Sequence, residues 1–267
     1  MRAVATIFWK EFKSYFISPV GYVVLTGFTA LSGFLFYQFL GVFIRVTSLM
    51  RGLMEKGQVV REWTLVDDLM EPLFKDLGLF LIIMVPAVTM RLFAEEKKLR
   101  TEELLLTSPV RMGSVVLGKY LAALALLMLM LVPAGVYLII VLVYGTETDT
   151  GTMVAGYGGL FLIAFSLAAI GVFSSTLTEN QIISFFVCVV MNLFFFTVGL
   201  AGNSVQTITL FSQKINFGEL LRQLSLMEHY NNFVRGMINS ADIFYFMALI
   251  VFFLFLSRFS AERARRS

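Results

Sequence analysis

Few residues in this 267-residue chain are of types that carry out chemistry, and their spacing restricts what they can do. His229 and Cys188 are the single histidine and the single cysteine. A zinc or iron site needs several such ligands together, and a disulfide needs a second thiol. No metal site is expected. His229 reads as a local hydrogen-bonding residue, and Cys188, in the middle of an apolar run, as a small packed one. The string Gly113-Ser114-Val115-Val116-Leu117-Gly118-Lys119-Tyr120 matches the first seven positions of a phosphate-binding loop, G-x-x-x-x-G-K. Tyr120, however, stands where a Ser or Thr hydroxyl should hold magnesium, and no β-strand pattern precedes the string. Lys119 reads instead as a cation snorkelling from the end of a membrane span. The chain is expected to bind no cofactor and to hydrolyse no ATP.

Composition identifies the medium in which these residues sit. Hydrophobic residues make up 58% of the chain and charged ones 15%, with a mean hydropathy of +0.83. Soluble domains run at about 45–50% apolar and about 25% charged. This balance excludes a disordered chain, a disulfide scaffold and a soluble α/β enzyme, and a net charge of +3 gives no footing for nucleic acid. A spanning helix needs about 20 apolar residues. Six segments qualify, at about 20–43, 77–92, 118–144, 153–176, 182–200 and 243–257, the second and sixth being short. Alternation with period two is absent, which argues against a membrane β-barrel. The expected fold is all-α and polytopic. No charge lies in the middle of any span, and the polar residues there (Ser166, Ser174, Ser175, Asn192, Thr197) read as hydrogen-bonding contacts between helices. That pattern disfavours a proton-coupled carrier and an intramembrane protease.

Six spans put both termini on one side. Thirteen of the 21 Lys and Arg residues then share that side, which makes it cytoplasmic by the positive-inside rule. Residues 1–18 read as an uncleaved amphipathic interface helix. Val4, Phe8, Phe12 and Phe16 lie on its membrane face, with Ile7 and Tyr15 beside them, and Arg2, Thr6, Lys10 and Ser14 lie opposite. Ser18-Pro19 should break it before the first span. Two segments fall outside: Arg45 to Lys75, with a short helix around Trp63 to Phe74, and an external helical segment at 203–242. In the latter, Phe217, Leu220, Leu221 and Leu224 mark an amphipathic helix with Glu219, Arg222 and Gln223 outward.

The inside loop at 93–117 is the most informative segment. It carries Glu95, Glu96, Lys97, Lys98, Arg100, Glu102 and Glu103, then Leu104 to Leu106, then the stop Thr107-Ser108-Pro109. Glu96 and Arg100 stand four apart, so a helix there can carry intrahelical pairs. The plain reading is a solvated loop held by positive-inside charge. The functional one is a docking helix that takes force from a cytoplasmic partner.

The stretch VPAVTMRLFAEEKKLRTEELLLTSPVRMGSVVLGKY resembles the coupling region of ABC-2 type transporter permeases. Glu96, Thr101, Glu103, Leu104, Leu105, Pro109, Gly118 and Lys119 fill the family's places, while Arg100 stands where Gly is usual and Glu102 where an apolar residue is usual. KEFKSYFISPVGYVV and EHYNNFVRGMINSADIFYF are similar to the gliding-motility-type subgroup, so the resemblance covers nearly the whole chain. It implies a permease subunit of an ATP-binding-cassette transporter in the bacterial inner membrane, with two separate ATPase subunits that bind ATP and Mg. It also implies a second permease copy or a related permease, and an auxiliary membrane protein with a large external domain.

The residues expected to couple to the ATPase are Glu96, Thr101, Glu103, Leu104, Leu105, Ser108 and Pro109. Those expected on the interface helix are Phe8, Lys10, Phe12 and Lys13. The inside turn Leu177 to Gln181 is a smaller expected contact. An abundance of Phe (28) and Met (14) suits an amphipathic substrate or membrane lipid. The alternative function is an ATP-driven module that moves no substrate and transmits force to an external partner.

Overall fold

The computed structural model describes residues 2–56, 63–100, 111–145, 148–204, 208–210, 213–215 and 217–264. Its elements in order are α1 (Arg2–Ile17), α2 (Pro19–Met54), a π-helical turn (Val66–Met70), α3 (Glu71–Thr89), α4 (Arg91–Lys98), α5 (Met112–Tyr144), α6 (Thr150–Leu177) and α7 (Gln181–Ser204). A two-stranded antiparallel ribbon follows, β1 (Ile208–Leu210) with β2 (Gln213–Ile215), Ile208 opposite Ile215. Helices α8 (Phe217–Gln223), α9 (Leu226–Val234) and α10 (Ser240–Ala264) complete the chain. Among the described residues, six helical stretches are long and apolar enough to cross a membrane. The protein is an all-α, multi-pass membrane protein with one small ribbon.

Local sequence accounts for the breaks. α1 ends at Ile17, and Ser18 caps α2 by accepting the Val20 N–H at 3.4 Å, with Pro19 in the first turn. A proline is tolerated there because its missing N–H would have no helical partner. Asp149 caps α6, accepting from Gly151 N at 3.0 Å and from Thr152 Oγ1 at 2.7 Å. These hydrogen bonds, that of the Thr152 hydroxyl first, hold the Asp149 carboxyl below its ordinary range.

Three expectations change. The second span is not short: one helical stretch runs from Val66 to Lys98. It absorbs Glu71, Lys75 and Asp76 at one end, where Lys75 Nζ meets Glu71 Oε1 at 2.5 Å. The separate helix expected around Trp63 to Phe74 is therefore the π-turn and first turns of this span. In the external segment Leu220 is exposed rather than buried, and the burying helix is α9, with Leu226, Tyr230, Phe233 and Val234 inside. The Tyr230 hydroxyl donates to Phe74 O at 2.6 Å, and burial pushes its pKa well up.

α6 is the hub. It packs against α3, α4, α5, α7, α9 and α10, and Leu160, Ile163, Ala164, Leu167, Ala168, Ala169 and Ile170 are all fully buried. Small residues let neighbouring backbones approach, because helices in lipid associate through packing and not through water exclusion. At Gly171 an added Cβ would stand 2.1 Å from Thr89 Oγ1 on α3 and 2.8 Å from its Cβ. We expect Gly171→Ala to lower stability by about 1–3 kcal/mol through overpacking, with Thr89→Ala restoring part of it. Thermal unfolding in detergent reads both, and an unshifted midpoint for Gly171→Ala would show that α3 and α6 do not meet there.

Candidate functional site

The charges that matter converge where α1, α4 and α5 meet. On α1, Ile7, Glu11 and Tyr15 recur at four-residue spacing and share one face. That face packs on α5, burying Glu11 and Tyr15. The approach is close because α5 offers Gly118, where a Cβ would lie 2.9 Å from Ile7 Cβ and 3.1 Å from Val4 O. The next residue, Lys119, turns inward and is 1% exposed.

Its ammonium lies 2.8 Å from Glu11 Oε1 and 2.9 Å from Glu96 Oε2, and donates to Leu92 O at 2.5 Å. The Phe93 ring covers it, with the ammonium 5.1 Å from the ring centroid. Lys10, at the exposed rim, adds a second cation 3.0 Å from Glu96 Oε1. Burial works against the Lys10 ammonium, but the hydrogen bond and charge of Glu96, with Glu11 behind, outweigh it and raise its pKa above the ordinary 10.5. Lys119 thus does not snorkel outward as expected. Two carboxylates and a carbonyl draw it in, and the phosphate-loop-like string is the first two turns of α5.

The junction extends on both sides. Arg91 donates to Ser14 Oγ at 3.1 Å and lies over the Tyr15 ring, and the Tyr15 hydroxyl donates to Val88 O at 3.1 Å. On α6, Ser175 Oγ accepts from Phe93 N at 2.8 Å and Ala94 N at 3.1 Å, and donates to Met90 O at 3.1 Å. This fixes the step from α3 into α4. Lys97 Nζ donates to Thr176 O at 2.9 Å, and Ser260 Oγ on α10 reaches the same carbonyl at 3.4 Å. Asn180 Oδ1 caps α7 by accepting from Ile182 N at 2.9 Å, so the Leu177 to Gln181 turn belongs to this end of the bundle.

Of the residues expected to couple to an ATPase, Glu96 stands at the centre of this junction. Thr101, Glu103, Leu104, Leu105, Ser108 and Pro109 lie outside the described residues. Of the interface-helix residues, Lys10 reaches Glu96, and Phe8 and Phe12 stack at 5.7 Å in a half-buried row with Phe16. Lys13 is exposed. The expected intrahelical role of Glu96 with Arg100 is replaced by its cross-helix reach, since α4 ends at Lys98 and Arg100 lies beyond it. Glu11 was legible only as a carboxylate placed on an apolar stripe, which is itself the signal of a buried partner.

Other polar residues in the spans divide. Ser174 Oγ lies 2.9 Å from Gly171 O on its own helix and 3.3 Å from Ser184 O on α7, a contact between helices as expected, whereas Thr197 Oγ1 donates to Leu193 O at 2.8 Å within α7. Asn192 Nδ2 reaches Cys188 Sγ at 3.6 Å. His229, at the opposite end, stacks on Tyr245, with Nδ1 2.5 Å from Asp242 Oδ1 and Nε2 3.0 Å from Gln223 O. Asn232 Nδ2 donates to the second Asp242 oxygen at 3.0 Å. This clasp ties α8 and α9 to the start of α10. Among the described residues no group of three or more His, Cys, Asp or Glu is placed to hold a metal ion.

These features define a polytopic helical membrane protein whose first helix is joined to two spanning segments by buried ions. The sequence profile of the ABC-2 family transporter protein matches residues 5–262, and the chain belongs to that family. It is a membrane component of an ABC transporter, a family in which ATPase activity generally resides in partner subunits. No curated protein matches the chain.

Two outcomes follow from the geometry. Removing one member of a buried ion group leaves the others uncompensated, at a cost of about 3–5 kcal/mol. Lys119→Met should lose about that much stability, and adding Glu11→Gln and Glu96→Gln should recover most of it. Thermal unfolding of the purified protein decides, and a Lys119→Met variant as stable as the parent would remove the ions from the junction's support. Arg100 has a φ of 54°, in the left-handed region that costs a residue with a Cβ about 1–2 kcal/mol. Glycine avoids that cost but loses more chain entropy on folding. Arg100→Gly should therefore range from neutral to about 1 kcal/mol stabilising, and a loss of more than about 1 kcal/mol would contradict the assigned backbone.

Proposed function

We propose that the chain is the permease subunit that couples ATP hydrolysis by two separate ATPase subunits to export of an amphipathic substrate across the bacterial inner membrane. Both termini and the α1–α4–α5 junction face the cytoplasm. ATP and Mg are held by the partners. The permease works with a second copy or a related permease, and with an auxiliary membrane protein of the kind found with gliding-motility-type permeases.

What supports this reading is the Glu11–Lys119–Glu96 junction. α4 leads directly into residues 101–110, where Thr101, Glu103, Leu104, Leu105, Ser108 and Pro109 are the proposed ATPase contacts. A push delivered there is carried by α4. Through Glu96 it reaches Lys119 on α5 and Lys10 on α1, and through Ser175 and Lys97 it reaches α6. ATP-driven closure of the ATPase pair thus moves the interface helix and three spanning segments together, and the spans rock to open a path at the permease seam.

Purification of the tagged protein from its native membrane, with gentle extraction, tests the assignment. Recovery of an ATPase with the parent, and at least about a tenfold lower recovery with Glu103→Arg at equal permease level, is expected; tenfold corresponds to about 1.4 kcal/mol of binding. Recovery of no ATPase with the parent, or undiminished recovery with the variant, would overturn the coupling assignment. An ATPase that co-purifies with a large external subunit, and ATP turnover with no transported ligand, would favour the force-transmitting alternative.

A further inference from the structure

A polar cavity and an apolar groove lie along one face of α5, outside the ion-paired junction. The cavity, about 780 Å³, is lined by Arg111, Met112, Gly113, Ser114 and Leu117 at the start of α5 and by Arg258 and Glu262 at the end of α10. Glu262 Oε1 accepts from Arg258 Nε at 2.8 Å, and the Arg258 side chain passes Gly113, where an added Cβ would lie 3.7 Å from its Cδ. Two guanidinium groups against one carboxylate leave the lining with a net charge of +1. The groove, about 560 Å³, is lined by Leu121, Leu124, Ala125 and Met128 on α5 and by Val4, Ala5 and Phe8 on α1.

At roughly 100° per residue, Ser114, Leu117, Leu121, Ala125 and Met128 fall within a stripe about 80° wide. This stripe runs from the helix end into the span, between the α1 contact at Gly118 and the α10 contact at Gly113. Leu117, Leu121 and Met128 are exposed on it. An apolar groove on the outer face of a membrane-spanning helix is bathed in acyl chains. A basic cavity at the level where the span ends meets lipid headgroups, and guanidinium groups recognise phosphate through paired N–H donors.

We propose that this face is a binding site for an anionic phospholipid, its phosphate between Arg111 and Arg258 and one acyl chain in the groove between α1 and α5. The site needs only that α5 spans the membrane, so it stands or falls separately from the ATPase assignment. A lipid seated there touches α1 through Phe8, about one turn from Glu11, and so bears on the helix that the buried ions hold.

Trp9, beside Phe8 with ring centroids 5.4 Å apart, is a built-in reporter once Trp63→Phe removes the second tryptophan. The protein is reconstituted in phosphatidylcholine vesicles that carry equal mole fractions of brominated phosphatidylglycerol or brominated phosphatidylcholine, and quenching of Trp9 is read. With about 1 kcal/mol per basic side chain near an anionic lipid, the two arginines give an expected preference for phosphatidylglycerol of about thirtyfold. It should fall to near unity in the Arg111→Gln, Arg258→Gln pair and stay unchanged in an Arg45→Gln, Arg51→Gln control. Ala125→Phe, which fills the groove, should weaken quenching while leaving the arginines in place.

Equal quenching by both lipids would overturn the proposal, as would a preference indifferent to the Arg111 and Arg258 changes. Loss of the preference on adding free inorganic phosphate would make the cavity a site for soluble phosphate and sink the lipid assignment. Trp9 shielded from both brominated lipids, together with cross-linking between Cys-substituted Ala125 positions of two copies, would mean that a second chain covers the groove.

Discussion

A single ammonium buried at the edge of a membrane sets the geometry of this protein's charged end. Lys119 has no route to water at 1% exposure, so its charge must be met inside. The carboxylates that meet it come from two other helices, Glu11 on α1 and Glu96 on α4. Charges in a low-dielectric site are held by their partners' positions, because each partner lost is a desolvated ion left over. Three helices are thereby fixed relative to one another by one nitrogen. Gly118, the residue before it, supplies the other half of the arrangement by letting α1 lie against α5. A Gly-Lys pair that imitates a nucleotide loop in sequence is in three dimensions a close-approach residue followed by an ionic pin.

The two ends of the bundle are built differently. At the charged end, ion pairs, Ser175, Lys97 and the Tyr15 hydroxyl bind α1, α3, α4, α5 and α6 into one piece. At the other, aromatic packing carries more of the contact. α9 wedges Tyr230 and Phe233 between α3, α6 and α10, and His229, Asn232 and Asp242 clasp the chain as it turns into α10. Polar networks resist sliding because each bond has a fixed direction, whereas aromatic packing tolerates small shifts.

Much of this was legible in the residue order, for identifiable reasons. Charge-free runs located all six spans because lipid tolerates no unpaired charge at depth. Ser18-Pro19 located the break between α1 and α2 because proline and its predecessor leave few backbone options. Arg100, standing where the resembling family has glycine, is the described non-glycine residue with positive φ. The readings that failed share one cause. A lysine or glutamate near a span end looks the same in sequence whether it turns to water or to a partner many residues away, so Lys119 read as a snorkelling boundary cation and Glu11 drew no role of its own. The same blindness to remote partners hid α9, whose Tyr230 is buried by Phe74 and Gly78 from a distant part of the chain. The segment with the most recognisable spacing, 101–110, lies outside the described residues.

The length of α2 has a consequence of its own. Its run from Val20 to Ile44 contains no charged residue and spans about 37 Å at 1.5 Å per residue, more than the hydrocarbon core of about 30 Å. Its fully buried residues stop at Ser32; beyond that the helix touches the bundle on one side, as where Phe36 stacks on Tyr137. A surplus of apolar length must be absorbed by leaning, bending or a locally thicker bilayer. The far half of α2 therefore leaves this bundle with apolar length to spare, and its inclination is set by whatever packs against it there.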